Sequence, residues 1–482
     1  MSTTPLCDHV SQIPSEILSE IFLSSIDDPM DDPRDVEHTI YRPLIISHIS
    51  RYCRDVALST PRLWSRLFLP ISSSISYHGH NIQAQTEIAE AWLARSASCP
   101  LQLHISWAEK STATSHPVLD SIIRHSIRWS RVSLYLPPTA FSSLTPIKGN
   151  LPLLQDLSLG CNDLTLTSVS GNPYTTFHLA PELRSFECID ISPFQFLLPY
   201  NQITSLPLCC LSIPECLELQ NRCTHLSSAM FILGLGGTTL DLFRPISSPS
   251  MRQAVFTTSH RSTFVDLNPL LQHCTYPNLS SFQLSNFKVS PAPDLPGFLS
   301  RAPLLTTLDI QKVTLSDRNL LDCIRETPNL MVLRVVEEME RWRNSILFSE
   351  DVLHAMTFPS SHPESHQASG NALLPNLQHI NLSLIHTSAA AFLSMVESRS
   401  FDPTFHGPDD NVNEGVSMLR SIELDVQHWS ESSVGIWTRT LTGSDSAACI
   451  DGIGVEERLE RLRDRGLDIN VDVKKRNSQL SL

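Results

Sequence analysis

The chain reads Pro152-Leu153-Leu154-Gln155-Asp156-Leu157-Ser158-Leu159 about a third of the way along, and this stretch decides the fold. Apolar and polar residues alternate over its second half, which predicts a short strand with one apolar face. Similar stretches recur down the chain, each with an anchor residue, two further residues, and two apolar residues separated by one position. The anchors are Leu154, Leu183, Ile203, Leu226, Met251, Leu279, Leu305, Leu330, Leu377 and Leu419.

The anchors recur at a regular spacing. Seven of the nine gaps between them are 20 to 29 residues long, which is the range of a leucine-rich repeat. The two longer gaps contain a polar stretch at 360–370 and an acidic stretch at 402–414. One such strand cannot bury its apolar face alone, so we expect neighbouring strands to stack in parallel with helices outside them. The sequence therefore predicts an α/β fold with a leucine-rich-repeat solenoid over 141–473, and residues 73–140 are interpreted as a connector of helices and strands leading into it.

The end of this range is expected to close the array, because an uncapped array would expose its final layer. Val455, Leu459 and Leu462 are spaced as one face of a helix, and Gly466 is a favourable residue to end that helix. The residues that then alternate as a closing strand are Leu467, Ile469, Val471 and Val473. Residues 474–482 are interpreted as a basic tail.

Composition argues against several classes of function. The chain has 482 residues, of which 67 are Leu and only 16 are Gly, and its formal net charge is −15. This charge disfavours a broad nucleic-acid-binding surface. The 12 cysteines are too sparse for a disulfide scaffold and have no paired metal-ligand spacing. There is no signal peptide and no apolar run of about 18 residues, so we expect an intracellular protein, cytoplasmic or nuclear, that binds no nucleic acid and no membrane.

The sequence contains no recognisable catalytic motif. Gly-x-Ser-x-Gly, His-Glu-x-x-His and the phosphate-binding Gly-Lys-Ser/Thr are all missing. The run Gly234-Leu235-Gly236-Gly237 lacks the third glycine of a dinucleotide-binding loop, and we interpret it as a turn. His78-Gly79-His80 offers two metal ligands without a third nearby, and we interpret it as a loop. The sequence therefore predicts no enzyme activity, no cofactor and no metal site.

Residues 8–72 are predicted to form a small all-α unit of three helices. Pro14, Pro43 and Pro61 each stand where a helix should begin, since proline is tolerated in the first helical turn. Apolar residues recur at helical spacing and form a stripe along these helices, among them Ile13, Ile17, Ile21, Ile45, Ile49 and Val56. The acidic stretch 27–35 between the first two helices lacks the residue order of a calcium-binding loop and is interpreted as a solvated loop.

Two stretches of this helical unit resemble an F-box. The first is Ile-Pro-Ser-Glu-Ile-Leu-Ser-Glu-Ile-Phe at 13–22, and the second covers 49–58 and continues as Thr-Pro-Arg-Leu-Trp at 60–64. The similarity is greatest to F-box proteins of mushroom-forming fungi. The sequence departs from the family pattern at Cys53, where tryptophan is common, and in the longer acidic loop at 27–37. Other residues typical of that group are Trp92-Leu93-Ala94-Arg95-Ser96 and Arg128-Trp129.

The resemblance implies a binding function without catalysis. An F-box docks on a Skp-family linker subunit of a cullin–RING ubiquitin ligase, and the repeats would capture a protein substrate. By position, the linker-binding residues would be Pro14, Ile17, Leu18, Ile21, Phe22, Val56, Leu63 and Trp64. Substrate-binding residues are expected on the strand face that points away from the core, and the candidates are Arg184, Glu187, Asp309, Arg334, His379 and Glu423. These candidates carry both signs of charge, so the charge of the substrate stays open.

Two classes of function stay open on the sequence. The chain is either a substrate-recognition adaptor of an SCF-type ubiquitin ligase or a repeat-based interaction scaffold that recruits no ligase. A hydrolase or transferase built on the repeats has no supporting motif. Capture of a Skp-family protein separates the adaptor from the scaffold.

Overall fold

The structure is a computed structural model, and it describes residues 10–26, 42–71, 82–107, 113–161, 173–234, 245–259, 264–291, 294–336, 349–358, 373–384, 389–400, 418–427 and 455–474. The chain is a mixed α/β protein that divides into two compact units. The first unit holds Met1–Cys210 with Arg222–Thr224, and the second holds Leu211–Asn221 with His225–Leu482.

The first unit begins with short helices. They are α1 (Ser15–Ile26), α2 (Arg42–Ile49), α3 (Arg51–Leu58) and a 3-10 turn at Pro61–Trp64. Ser50 separates α2 from α3 and caps α3, because its hydroxyl accepts a hydrogen bond from the backbone N–H of Cys53 at 3.0 Å. The hydroxyl of Tyr52 donates to the carbonyl oxygen of Ile13 at 2.6 Å, which ties α3 to the segment before α1. The acidic loop predicted at 27–35 lies outside the described residues.

A parallel sheet follows in the first unit. Its strands are β1 (Arg66–Ile71), β2 (Leu101–Trp107), β3 (Trp129–Tyr135), β4 (Asp156–Gly160), β5 (Ser185–Ile189) and β6 (Ser205–Leu211). Each strand pairs in parallel with the next one along the chain. Alternation along each strand places one apolar row in the core, and its members in register are Leu67, Leu103, Val132, Leu157 and Phe186. The helices between these strands are α4 (Ile82–Arg95) and α5 (Pro117–Ile123).

The sheet begins earlier than the anchor pattern indicates. β1 starts at Arg66, inside the range 8–72 assigned to the helical unit, and β2 and β3 belong to the range 73–140 interpreted as a connector. The anchor pattern missed β1 and β3 because tryptophan replaces the anchor leucine in the matching stretches Trp64-Ser65-Arg66 and Trp129-Ser130-Arg131. Both tryptophans are buried, and each lies three residues before a buried residue of its repeat, Leu67 on β1 or Val132 on β3.

The second unit contains the remaining long strands. They are β7 (Ser228–Leu233), β9 (Gln253–Thr258), β11 (Ser281–Ser285), β12 (Thr307–Gln311), β13 (Val332–Val336), β14 (His379–Leu384), β15 (Ser421–Gln427) and β16 (Asp468–Lys474). These pair in parallel in the order given, and two short strands, β8 (Ile246–Ser247) and β10 (Cys274–Thr275), pair with each other. The helices of this unit are α6 (Ile213–Arg222), α7 (Asn268–His273), α8 (Leu295–Ser300), α9 (Asp317–Arg325), α10 (Glu350–Met356), α11 (Ala389–Ser398) and α12 (Val455–Asp464).

The buried anchor residues make the same turn in successive repeats. The backbone N–H of the anchor donates to the carbonyl oxygen three residues earlier, at 3.1 Å for Leu279 and Leu305 and 3.2 Å for Leu330. The residue after the anchor then bonds to its equivalent in the preceding repeat, as the N–H of Thr306 does with Ser280 at 2.9 Å. The recurrence of short parallel strands predicted from the anchor spacing is thus confirmed in these repeats.

The closing elements agree with the sequence. The predicted helix is α12, the predicted strand is β16, and Gly466 between them has a φ of +90°, a conformation that glycine adopts without strain. β16 pairs with β15 over its whole length. The inserts predicted at 360–370 and 402–414, and the tail beyond Lys474, lie outside the described residues.

Candidate interaction surfaces

Five large aliphatic side chains are exposed on the three N-terminal helices. Ile17 and Ile21 on α1 are 55% and 50% exposed, Ile45 and Ile49 on α2 are 61% and 56% exposed, and Leu58 on α3 is 41% exposed. Single exposed apolar residues are ordinary, and a contiguous patch of them is the usual sign of an interaction site. We call these five residues the exposed aliphatic set.

Only part of the predicted linker-binding group is accessible. Pro14, Ile17 and Ile21 are exposed. The other five residues are 6% exposed or less and form the core of the helical unit, namely Leu18, Phe22, Val56, Leu63 and Trp64. On α1, Ile17 and Ile21 share the exposed face, and Leu18 and Phe22, one position later, share the buried face, because residues four apart lie on the same side of a helix. A partner can therefore contact the first group while the second holds the helices together.

The apolar stripe predicted through α2 is not its buried face. Ile45 and Ile49 belong to that stripe and are exposed, whereas the buried residues of α2 are Pro43, Ile46 and Ser47. The reason is the break at Ser50, because a single apolar stripe cannot be continued from α2 into a second helix that starts in a new direction. The N-cap serine was the signal in the sequence that could have shown this break.

The helical unit packs directly on the first strands of the sheet. The rings of Trp64 and Trp92 meet edge to face with centroids 4.8 Å apart, and the guanidinium of Arg95 lies 4.5 Å from the Trp64 ring centroid. The indole N–H of Trp92 donates to the carbonyl oxygen of Arg66 at 2.8 Å. The guanidinium of Arg66 in turn donates to the carbonyl oxygen of Ile26, the last residue of α1, at 3.0 Å. The exposed aliphatic set is therefore held in a defined position relative to β1.

The strand face of the first unit carries an aromatic pair that sequence reasoning missed. Phe68 on β1 and His104 on β2 are register partners, and their rings stack with centroids 4.4 Å apart. Burial lowers the pKa of His104, so the imidazole is neutral at pH 7. On β5, burial raises the pKa of the Glu187 carboxyl, against the opposing effect of a hydrogen bond from Ser158. Glu187, a predicted substrate-binding residue, is therefore half-buried and already has a partner.

The strand face of the second unit is organised around Asp309. Register places Gln283, Asp309, Arg334, Asn381 and Glu423 in one row across β11 to β15. The side-chain amide of Gln311 donates to both carboxylate oxygens of Asp309, at 3.0 and 2.9 Å, and the guanidinium of Arg334 lies 3.5 Å away. Burial raises the pKa of Asp309, and these two partners only partly offset it. Two predicted substrate-binding residues, Asp309 and Arg334, are thus brought together.

The remaining predicted residues also have partners. Nδ1 of His379 lies 2.6 Å from the hydroxyl oxygen of Ser421, and the amide of Asn381 donates to the carboxylate of Glu423. The His379–Ser421 pair has the composition of a catalytic dyad. However, Ser421 lies between His379 and Asp468 in the register, so the acid adjoins the serine and not the imidazole that it would orient in a triad.

Arg184 does not lie within the strand face. It precedes β5, and its guanidinium donates to the carbonyl oxygens of Pro181 and Leu183 at 3.0 and 3.2 Å. The same side chain lies 3.7 Å from the carboxylate of Glu182. Arg184 therefore belongs to the turn that leads into the strand.

The buried cysteines are poor nucleophiles. Burial raises the pKa of Cys223 and Cys323 to about 12 and of Cys210 and Cys274 to about 11. A thiol with such a pKa is protonated at neutral pH, and the thiolate is the reactive form. In the described part of the chain, no group of three or more histidine, cysteine or acidic side chains is placed to hold a metal ion.

Comparison with known proteins assigns no family. No model of a known protein family matches the chain, and no curated protein matches its sequence. Within the described segments, no helix combines the length and apolar character that crossing a membrane requires. The fold defines the chain as a mixed α/β protein built on parallel strands. Counted over the described residues, the first unit has six strands, and the second has eight long strands besides the short pair β8 and β10.

Proposed function

We propose that the protein is a substrate-recognition adaptor of an SCF-type cullin–RING ubiquitin ligase. In this proposal the N-terminal helices are an F-box that docks on a Skp-family linker subunit, and the sheets are a leucine-rich-repeat solenoid that captures a protein substrate. The resemblance of 13–22 and 49–64 to an F-box supports the first part. The recurring anchors and parallel strands support the second.

The observation that supports the proposal most strongly is the exposure of aliphatic side chains on the helical unit. The helical unit buries Leu18, Phe22, Val56, Leu63 and Trp64, and yet it leaves Ile17, Ile21, Ile45, Ile49 and Leu58 exposed. Aliphatic side chains of this size are stabilised when a partner removes them from water, by about 25 cal/mol for each Å² buried. A helical partner surface with complementary apolar pockets accounts for their exposure.

The mechanism requires no bond chemistry from this chain. Binding a linker subunit and a substrate at the same time converts an encounter between substrate and ubiquitin-loaded enzyme into an intramolecular one, which raises the effective concentration. The contacts of Trp64 with Trp92 and of Arg66 with Ile26 support such a role, because a fixed joint preserves the distance between the docking helices and the first strands. The strand face, with Asp309, Arg334, His379 and Glu423, is the proposed substrate surface.

Capture by a Skp-family protein tests the proposal. The full chain is co-expressed with a tagged Skp-family protein, and we expect both to purify together. The double variant Ile17→Asp with Ile21→Asp should weaken capture at least about tenfold, since a charge placed in a buried apolar interface is strongly disfavoured. The matched control is Ile127→Asp. Ile127 belongs to the first unit, is 58% exposed and lies outside the three N-terminal helices.

The result also decides between a ligase adaptor and an interaction scaffold that recruits no ligase. If the wild-type chain is not captured, or if the double variant is captured as well as Ile127→Asp, the adaptor proposal is wrong. The interaction scaffold without a ligase then becomes the better explanation. Circular dichroism checks that the double variant remains folded, as we expect because both substituted side chains are exposed.

A further inference from the structure

Three arginines make the same kind of contact with the helix that precedes their own. Arg128 follows α5, Arg301 directly follows α8, and Arg399 directly follows α11. Each guanidinium reaches back to backbone carbonyl oxygens at or just beyond the carboxyl end of the preceding helix, which is α4, α7 or α10. The last carbonyls of a helix have no partner within the helix, so an arginine at this place can supply donors to them.

Arg399 shows the contact in its fullest form. Its Nε and Nη2 donate to the carbonyl oxygen of Met356, the last residue of α10, at 2.8 and 2.6 Å. Its Nη1 and Nη2 also donate to the carbonyl oxygens of Leu374 and Leu373, at 2.8 and 2.5 Å. The guanidinium lies 4.3 Å from the ring centroid of Phe358. The side chain is 3% exposed, and burial lowers its pKa to about 10, so it remains charged at pH 7.

Arg301 repeats the contact between α8 and α7. Its Nη2 donates to the carbonyl oxygens of Leu271 and Cys274, at 2.6 and 3.2 Å, and its Nη1 donates to Gly297 of its own helix at 2.6 Å. Leu271 lies in the last turn of α7, and Cys274 is the residue that follows that helix.

Arg128 repeats the contact in the first unit. Its Nε donates to the carbonyl oxygen of Cys99 at 3.0 Å, and its Nη2 donates to the carbonyl and hydroxyl oxygens of Ser96 at 3.2 and 2.6 Å. Ser96 is the first residue after α4. The same arrangement therefore occurs in both units, at three separate pairs of consecutive helices.

Arg325 provides a natural contrast. It is the last residue of α9, but its guanidinium pairs with Asp322 of the same helix at 2.9 Å and is 56% exposed. A cation at the end of a helix is common, because it interacts favourably with the helix dipole. The contact with the preceding helix, and not the position alone, is what distinguishes Arg128, Arg301 and Arg399.

We propose that Arg128, Arg301 and Arg399 are staples that hold the carboxyl end of the preceding helix closed against local opening. An arginine fork donates several hydrogen bonds in a fixed plane, so it clamps the end of the preceding helix without an acidic partner. Repeat arrays depend on contacts between neighbours for their stability. We expect the loss of a staple to act mainly on the earlier helix, because carbonyl oxygens at its end lose hydrogen bonds, whereas the hydrogen bonds within the later helix do not involve the guanidinium of Arg128 or Arg399.

Hydrogen exchange of the full chain, read by mass spectrometry, tests which of the two helices a staple holds closed. In Arg399→Met, which keeps most of the apolar stem, we expect amides of α10 to exchange about tenfold faster, because local opening becomes easier. Amides of α11, which carries the substitution at its end, should change much less. Arg325→Met is the matched control and should leave α8, the helix before it, unchanged.

Every outcome decides the proposal. Faster exchange confined to α11, equal acceleration of both helices, or no change in α10 overturns it. If Arg399→Met does not fold, Arg301→Met carries the test with α7 as the reporter helix, and unchanged exchange in α7 overturns the proposal in the same way. Arg399→Lys should lie between wild type and Arg399→Met, since lysine keeps the charge and loses the fork.

Discussion

Trp64 and Trp129 make the same hydrogen bond from equivalent places in two repeats. The indole N–H of Trp64 donates to the carbonyl oxygen of Ala57 at 2.8 Å, and that of Trp129 donates to Ile122 at 3.2 Å, each seven residues earlier. Trp64 ends the 3-10 turn just before β1, and Trp129 is the first residue of β3. Trp64 is therefore the anchor of the first repeat as well as part of the helical core, and the helical unit and the sheet share it.

Replacing either tryptophan by phenylalanine should destabilise the first unit to a similar extent. Trp64→Phe and Trp129→Phe each remove a buried hydrogen bond and part of a packed ring, and we expect a loss of about 1–3 kcal/mol in the free energy of unfolding. Urea denaturation measures it, with Ile127→Ala as the surface control. A neutral Trp64→Phe would show that Trp64 is not a repeat anchor.

Truncating two neighbouring residues of α1 should change the free energy of unfolding to very different extents. Leu18→Ala removes a buried side chain and should lower the free energy of unfolding by about 2–5 kcal/mol. Ile17→Ala removes a side chain that is 55% exposed and should change it by about 0.5 kcal/mol or less. Thermal unfolding of both variants checks this contrast. Equal losses would mean that Ile17 is part of the core and not of the exposed aliphatic set.

A side chain at Gly160 should collide with Tyr135 across the register of β3 and β4. A Cβ at Gly160 would lie 2.1 Å from a ring carbon of Tyr135, so Gly160→Ala should cost about 1–3 kcal/mol. Tyr135→Ala removes the ring, and in that background the same substitution should cost much less. A double-mutant cycle of urea midpoints measures the coupling. Additive losses would contradict a direct contact.

The stability contribution of Asp309 should depend on pH with the sign of a buried acid. Burial raises its pKa above the ordinary 3.8, so the folded state holds the proton more tightly than the unfolded one. The contribution is complete below the ordinary pKa and is lost as pH rises through the raised value. The stability of the wild type relative to Asp309→Asn should therefore fall as the pH rises above 3.8 and through the raised pKa. A rise would indicate instead that the ion pair with Arg334 dominates.

Much of the sheet could be predicted from local pattern. Leu279, Leu305 and Leu330 were assigned as anchors from their spacing, and each is buried at the start of a strand. The prediction worked because the period of a strand and the length of a repeat are properties of the sequence itself. The anchor motif did not extend to β1 and β3, where Trp64 and Trp129 replace leucine, although alternation at 132–136 did predict the strand of β3.

The interaction surfaces depended on contacts between distant residues. Both Ile17 and Leu18 fit an apolar helix, and only the packing of α1 against α3 and the 3-10 turn exposes the first and buries the second. Asp309 and Arg334 are 25 positions apart, and register alone makes them neighbours. Spacing in the sequence thus dictated which segments repeat and where the strands lie. Which face is covered, and which polar groups already have partners, was decided by tertiary packing, because burial depends on what neighbouring segments bring.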